Sequence, residues 1–303
     1  MECVETMDTL AAAFTYAEFT TRNIGFVSEA QQAKLRSATV FVCGTGGMGG
    51  ACIMALARAG LGRLIIADVD TFAVSNLNRQ VFAFMQTVGR QKAEATRDIC
   101  LTINPDMQIV VYGQDWPVHA ADAIRDSVIV VNGTDDLGAS LMLYRTAREL
   151  GRTVIDAYAS PLPSVYVTKA GDPMPEERLF YPTPGTAWDA ITPGQRATAF
   201  LREAEYVVLN SSSRHHVDLA MAGEVAAGKR SRMSFAPMVI TTGMLMAYEA
   251  VAGVLGNDHG ADCRGWFFNP YKGRIERPRN ALVAAIMRPV VRRFMRKLME
   301  TGA

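Results

Sequence analysis

None of the five cysteines in this 303-residue chain pairs with another as CxxC, and they are scattered from Cys3 to Cys263. That spacing excludes a disulfide scaffold and a clustered structural zinc site, and it suits reduced thiols in a cytoplasm. Charge of one sign is also missing. The 31 basic and 30 acidic side chains leave a formal +1, so no global field draws the chain to nucleic acid or to a membrane surface. The apolar stretches read as short or interrupted by charge, so no transmembrane helix is expected. The opening residues, MECVETMDTLAAAF, lack the positive start of a secretory signal. There is no internal repeat and no low-complexity tract. What remains is an ordinary globular composition, 49% hydrophobic and 20% charged, sufficient for one large core or two small ones.

Local pattern then assigns elements. Residues 1–27 read as partly ordered, with Tyr16, Phe19 and Arg22 able to pack or reach outward. Ser28 and Gln31 have capping-box spacing at a helix start. Short β-branched runs at 39–43, 63–67, 127–131 and 153–156 predict buried strands, and 107–112 alternates as a further strand. Helical patterns lie between them at 48–59, 92–103, 118–125 and 136–150. Strand and helix therefore alternate from 39 to 156, the pattern of a doubly wound parallel sheet. Proline concentrates between 160 and 196, where only 165–168 reads as a strand and the rest as a long loop. Helical pattern returns at 214–227 and 235–255, a hairpin is expected over 263–277, and 280–300 is a basic amphipathic helix with Pro289 as a kink.

The stretch from Val42 to Lys92 carries the chemistry. Gly44, Gly46 and Gly49 fit G-x-G-x-x-G between a strand and a helix, a turn that lets backbone approach phosphate at a helix N-terminus. A dinucleotide-binding dehydrogenase shows the same turn and an acid about 20 residues on, which Asp68 supplies. A NAD(P)-dependent oxidoreductase therefore stays open on those features. Arg79 and Lys92 tip the balance, because a triphosphate needs a planar guanidinium fork and a point charge where a dinucleotide does not. Asp135, at another strand end, adds a carboxylate suited to Mg²⁺. Gly44, Asp68 and Asp135 all fall at carboxyl ends of strands, where open α/β sheets gather ligands.

Taken in order, GTGGMGG, DVD, SNLNRQ, GRQK, INP and GTDD resemble the ThiF/MoeB/HesA-type adenylating superfamily, the fold shared with ubiquitin-activating enzymes. A looser echo lies in SFAP followed by TGMLMAYE. The resemblance implies a Rossmann-like α/β fold with a mostly parallel sheet and a C-terminal substrate-binding extension. It divides the chain into an N-terminal arm and helix (1–36), an ATP-binding core (37–157), a crossover and substrate loop (158–212) and C-terminal helices with a hairpin (213–303), together one domain. It implies that Gly44, Gly46, Gly47 and Gly49 cradle ATP, that Asp70 and Gln80 join them in binding it, that Asp68 holds the ribose, and that Asn76 helps order the site. Arg79 and Lys92 would hold phosphates, Asp135 would bind Mg²⁺, and Arg22 would reach into the site of a second subunit of a homodimer. In that segment Asn23 stands where relatives carry glutamine. The implied reaction is adenylation of a carboxylate on a peptide, a ubiquitin-like protein or a small acid.

Two family features are missing. Many relatives hold zinc with two CxxC pairs; this chain has none, so no zinc is expected. Relatives that form a thioester keep a crossover-loop cysteine, yet residues 158–262 contain no cysteine, so zinc-free relatives that adenylate peptides or modify tRNA are the nearer analogues. Cys263 reads as a small buried packing residue, His215 and His216 as surface or capping residues, and the final basic helix as a solvated face. Tyr158, Ser160, Ser164 and the loop 181–188 are positional candidates for substrate contact. A non-catalytic module docking a partner through the basic helix is the remaining alternative, with an eroded site as its expectation.

Overall fold

The computed structural model describes residues 14–302; Cys3 and the start of the N-terminal arm lie outside them. Two short helical segments, α1 (Tyr16–Thr20) and a 3₁₀ turn at Thr21–Asn23, precede α2 (Glu29–Ser37). The Ser28 hydroxyl accepts from Gln31 N–H, and the Gln31 side chain accepts from Ser28 N–H, so the capping box forms. The core then runs β1 (Thr39–Cys43), α3 (Gly47–Arg58), β2 (Arg63–Ala67), α4 (Lys92–Ile103), β3 (Gln108–Tyr112), α5 (Trp116–Asp126), β4 (Ile129–Asn132), α6 (Leu137–Glu149) and β5 (Thr153–Asp156). It continues through β6 (Ser164–Thr168), α7 (Pro175–Arg178), α8 (Pro193–Asn210), α9 (Leu219–Ala226), α10 (Ala236–Leu255), β7 (Trp266–Asn269), β8 (Arg274–Glu276) and α11 (Ala281–Gly302).

All eight strands join one sheet in the order β3-β2-β1-β4-β5-β6-β7-β8. The first five are parallel and the last three antiparallel. Strand periodicity divides the core into two layers. Val40, Val42, Leu64 and Ile66 face α3 and α10, whereas Phe41, Cys43, Ile65 and Ala67 face α5 and α6. β1, with every residue buried, is covered on both faces, as a central parallel strand must be. This layering puts the carboxyl ends of β1, β2 and β4 along one edge.

Three expectations need correction. Residues 193–210, expected as loop, form the 18-residue helix α8, begun by a Thr192–Gln195 capping box with Pro193 in the first turn. The helix expected from 214 starts at Leu219, because Ser213–His215 is a separate 3₁₀ turn. α10 is long and apolar enough to cross a membrane by length and composition, which the reading of short apolar runs did not anticipate. Here Val239, Thr242, Met246 and Ala250 are buried as it packs along α3 and the sheet. Gly243 permits that approach: a Cβ there would collide with the Met48 carbonyl and sit 2.5 Å from the Ala51 side chain.

Candidate nucleotide site

β1 ends at Cys43 and the chain turns at Gly44, whose φ of +92° belongs to the left-handed region that glycine tolerates. Any side chain at Gly44 would also strike the Gly133 backbone after β4, and one at Gly49 would strike the Gly44 carbonyl. These glycines thus pin two strand ends and a helix start together. Gly46 is the N-cap of α3 and offers no side-chain cap, and Gly46, Gly47 and Met48 line the cavity, which puts the partial positive charge of a 12-residue helix start at its wall.

Asp68 fastens this turn. Its Oδ2 accepts from Thr45 N–H at 2.7 Å and from the Thr45 hydroxyl at 3.0 Å, while Oδ1 accepts from Asp70 N–H at 3.0 Å. Asp70 in turn holds the Lys92 ammonium at 2.9 Å, on a side chain only 9% exposed at the first residue of α4. Arg79 is held by the Ser75 carbonyl at 2.8 Å and Asn78 Oδ1 at 2.9 Å, and it has no carboxylate partner among the described residues. Asn76 acts as a staple, its Oδ1 accepting from Ala73 N–H at 2.9 Å. Gln80 is buried beside Gly46, and its Oε1 has no hydrogen-bond partner among the described residues.

The two aspartates after β4 divide their work. Asp136 caps α6, accepting from Ala139 N–H at 2.8 Å, and is ion-paired with Arg196. Asp135 is exposed, without hydrogen bond or ion pair among the described residues, and lines the cavity. No group of three or more His, Cys, Asp or Glu side chains arranged to hold a metal occurs among the described residues. A cation here would bind through Asp135 together with ligand oxygens, a donor set that suits Mg²⁺.

One cavity of about 1130 Å³ takes in Gly44, Gly46, Gly47, Asp68, Asp70, Asn76, Arg79, Gln80, Lys92 and Asp135. Gly49 lies behind it as packing. Arg22 does not line it; it is exposed on the 3₁₀ turn Thr21–Asn23. Asn23 anchors that turn, donating to Gln32 Oε1 at 3.1 Å and to the Ala59 carbonyl at 3.2 Å at the end of α3. Of the candidates for substrate contact, Tyr158 and Ser160 line the cavity, whereas Ser164 does not and is buried. The loop 181–188 also stays away: Arg145 of α6 binds the Thr183 and Thr186 carbonyls at 3.1 and 2.7 Å, and Tyr181 is buried against Glu203 at 2.7 Å.

Other readings change as well. His216 is no simple surface residue; it lines the cavity, stacked on Tyr271 at 4.3 Å, with a buried Nε2 that has no hydrogen-bond partner among the described residues. Cys263 is partly exposed, not buried. The terminal helix is not a wholly solvated basic face, because Arg288 and Arg292 reach Glu205 of α8 at 3.5 and 3.1 Å. Cys43 forms part of the cavity wall, yet burial, followed by the charges of Asp68 and Asp136, pushes its thiol well above the usual range. A thiolate nucleophile is disfavoured there. Sequence reading missed Thr45 and Gly133. Thr45 had no signal beyond its place in the glycine turn, whereas Gly133 stood at a strand end beside the aspartates.

A doubly wound sheet with a glycine turn and cationic side chains at its carboxyl edge defines a Rossmann-like nucleotide-binding protein. Within that class the chain belongs to the ThiF family, whose model matches residues 20–283. It is 33% identical over 159 residues to the adenylyltransferase and sulfurtransferase UBA4 of Kluyveromyces lactis, covering 50% of this chain and 35% of that protein. It is 33% identical over 105 residues to the tRNA threonylcarbamoyladenosine dehydratase of Bacillus subtilis, covering 30% of this chain and 41% of that one. The chain thus spans about a third of the length of UBA4. Among solved structures, E. coli MccB with succinimide superposes with a TM-score of 0.59 at 16% identity, over 89% of this chain and 73% of that one. PaaA superposes with a TM-score of 0.56 at 19% identity, over 87% and 80%. These last two likenesses concern the fold.

Proposed function

We propose that this protein is an ATP-dependent adenylyltransferase that activates a substrate carboxylate as an acyl adenylate. The observation that carries this reading is the convergence of the α3 N-terminus, Arg79, Lys92 and Asp135 on one cavity at the carboxyl edge of the sheet. In the reaction a carboxylate oxygen attacks the α-phosphorus in line, the bond to the bridging oxygen breaks, and pyrophosphate leaves with that electron pair. Arg79 and Lys92 neutralise charge on the phosphates, and the α3 N–H groups orient them. Asp68, already bonded to Thr45 and Asp70, retains lone pairs for ribose hydroxyls. Asp135 would hold Mg²⁺, which when bound supplies further charge neutralisation on the triphosphate. No side chain needs to be covalently modified, consistent with the raised thiol of Cys43.

Family membership and the names of the relatives favour this reading over a nicotinamide-dependent oxidoreductase. The intact set of cavity residues weighs against a non-catalytic module. In this reading 37–157 forms the nucleotide core, the later segments supply the acceptor side, and the enzyme works in the cytoplasm without zinc. Exposed Arg22, flanked by the exposed apolar residues Ile24 and Phe26, is assigned to the site of a second copy in a homodimer. ATP–pyrophosphate exchange tests the chemistry. Arg79→Ala and Asp135→Asn should each lower it by roughly 10²- to 10³-fold with unchanged folding, as removal of one transition-state donor commonly does. Exchange that survives in both variants would sink the reading.

A further inference from the structure

The cavity is larger than a nucleotide site needs. At about 1130 Å³ it exceeds the roughly 300–1,000 Å³ usual for a pocket that holds one drug-sized ligand. Its character changes along its length. The carboxylates that line it, Asp68, Asp70, Asp135 and Asp136, all belong to the strand ends and loops of the nucleotide side. Its remaining lining includes Phe200 and Val207 of α8, Val225 of α9 and Met295 of α11, which together make an apolar wing. No acidic side chain lines that wing. Its cationic residues are Arg214 and Arg232, the latter lying 5.0 Å over the Phe200 ring. His216 brings a polar atom to the wing: the ring is stacked on Tyr271, and its buried Nε2 has no hydrogen-bond partner among the described residues. Next to it Ser213 shares hydrogen bonds with Ser211 at 2.6 Å and Ser160 at 3.1 Å, a hydroxyl chain leading back toward the nucleotide side.

We infer that the wing seats the body of the acid that is activated, and that this body is a bulky apolar group next to the carboxylate. The inference rests on the adenylation reading and narrows its substrate. A tail of two glycines would leave the apolar walls facing water, whereas an aliphatic or aromatic group would cover them. No carboxylate lines the wing, which disfavours a cationic body, and the charge of Arg232 acts on Glu203. His216 Nε2 is positioned to hydrogen-bond the polar atoms between apolar body and carboxylate.

The test is calorimetric titration of the full chain saturated with α,β-methylene ATP. Three probes are used: N-acetyl-alanyl-leucine, octanoate and N-acetyl-glycyl-glycine, each as the free carboxylate. At least one apolar probe should bind roughly 10- to 100-fold more tightly than the diglycine, the range expected for burying one large aliphatic group. The ratio of peptide to octanoate then tells a peptide end from a fatty acid. Ala204→Trp on α8 and Ala222→Trp on α9 fill the wing from different helices, and both residues line it. Each variant should lose at least tenfold in apolar-probe affinity while binding the ATP analogue within twofold of wild type. Equal or tighter binding of the diglycine, no binding of either apolar probe, or unchanged affinity in the filled variants would overturn the inference. Pyrophosphate exchange supported by the diglycine would do so while leaving adenylation intact. Failure to bind the ATP analogue would instead remove the adenylation reading.

Discussion

Asp156 ends β5 only 6% exposed, accepting from the Tyr144 hydroxyl at 2.9 Å and from Ala157 N–H at 2.6 Å. Burial raises its pKa to about 7, against the lowering effect of those hydrogen bonds. The folded chain therefore keeps a proton that the unfolded chain has released, between the ordinary aspartate range and about pH 7. Stability should fall as pH rises through that window, since the native state binds more protons there. Asp156→Asn keeps the size and the acceptor, so its melting temperature should vary less between about pH 4 and 7 than that of wild type. A variant with the wild-type slope would assign the dependence to other groups. At this scale the glycine turn was legible, because tolerance of φ +92° and of close backbone approach is a property of glycine itself. Thr45 was not legible, because its role is a bond to Asp68, 23 residues away. The same holds for His216, whose environment comes from Tyr271.

The strands and helices of the first half were legible because each carries its buried run or apolar face within its own few residues, whatever element later covers it. α8 was hidden by its surroundings. Proline density before it suggested loop, although Thr192, Pro193 and Gln195 form a regular helix start and Ala199, Val207 and Leu209 mark its buried face. α10 illustrates the opposite case, an apolar helix whose partner only the fold reveals. Gly243 sits where α10 crosses α3, against the Met48 carbonyl and the Ala51 side chain. Gly243→Val has no space at that crossing and should destabilise the protein by about 1–3 kcal/mol or more, the cost of overpacking a close-packed interior. Thermal unfolding reads this directly, and an unchanged melting temperature would show that the two helices separate freely.

In the whole molecule, the C-terminal third closes the cavity that the α/β core opens. Glu205 of α8 draws in Arg288 and Arg292, so part of the basic face of α11 is turned to a neighbouring helix. The turn bearing Arg22 is anchored through Asn23, while the Arg22 side chain is exposed and has no ion pair among the described residues. Assigned to a neighbouring copy, it makes a concrete expectation. Arg22→Ala and Arg79→Ala chains, each inactive alone, should regain exchange when refolded together. Recovery should be on the order of a quarter of the wild-type rate, because random pairing completes one site in each mixed dimer. No recovery above the separate variants would return Arg22 to an ordinary surface role. The sequence by itself determined the doubly wound core, the glycine turn and the order of the charged loops, since these follow from backbone preference, local periodicity and motif spacing. Tertiary structure alone decided what Asp68 fastens, where α10 lies and that α8, α9 and α11 wall an apolar wing. Periodicity records which face of an element avoids water; it does not record which other element, a hundred residues away, provides the shelter.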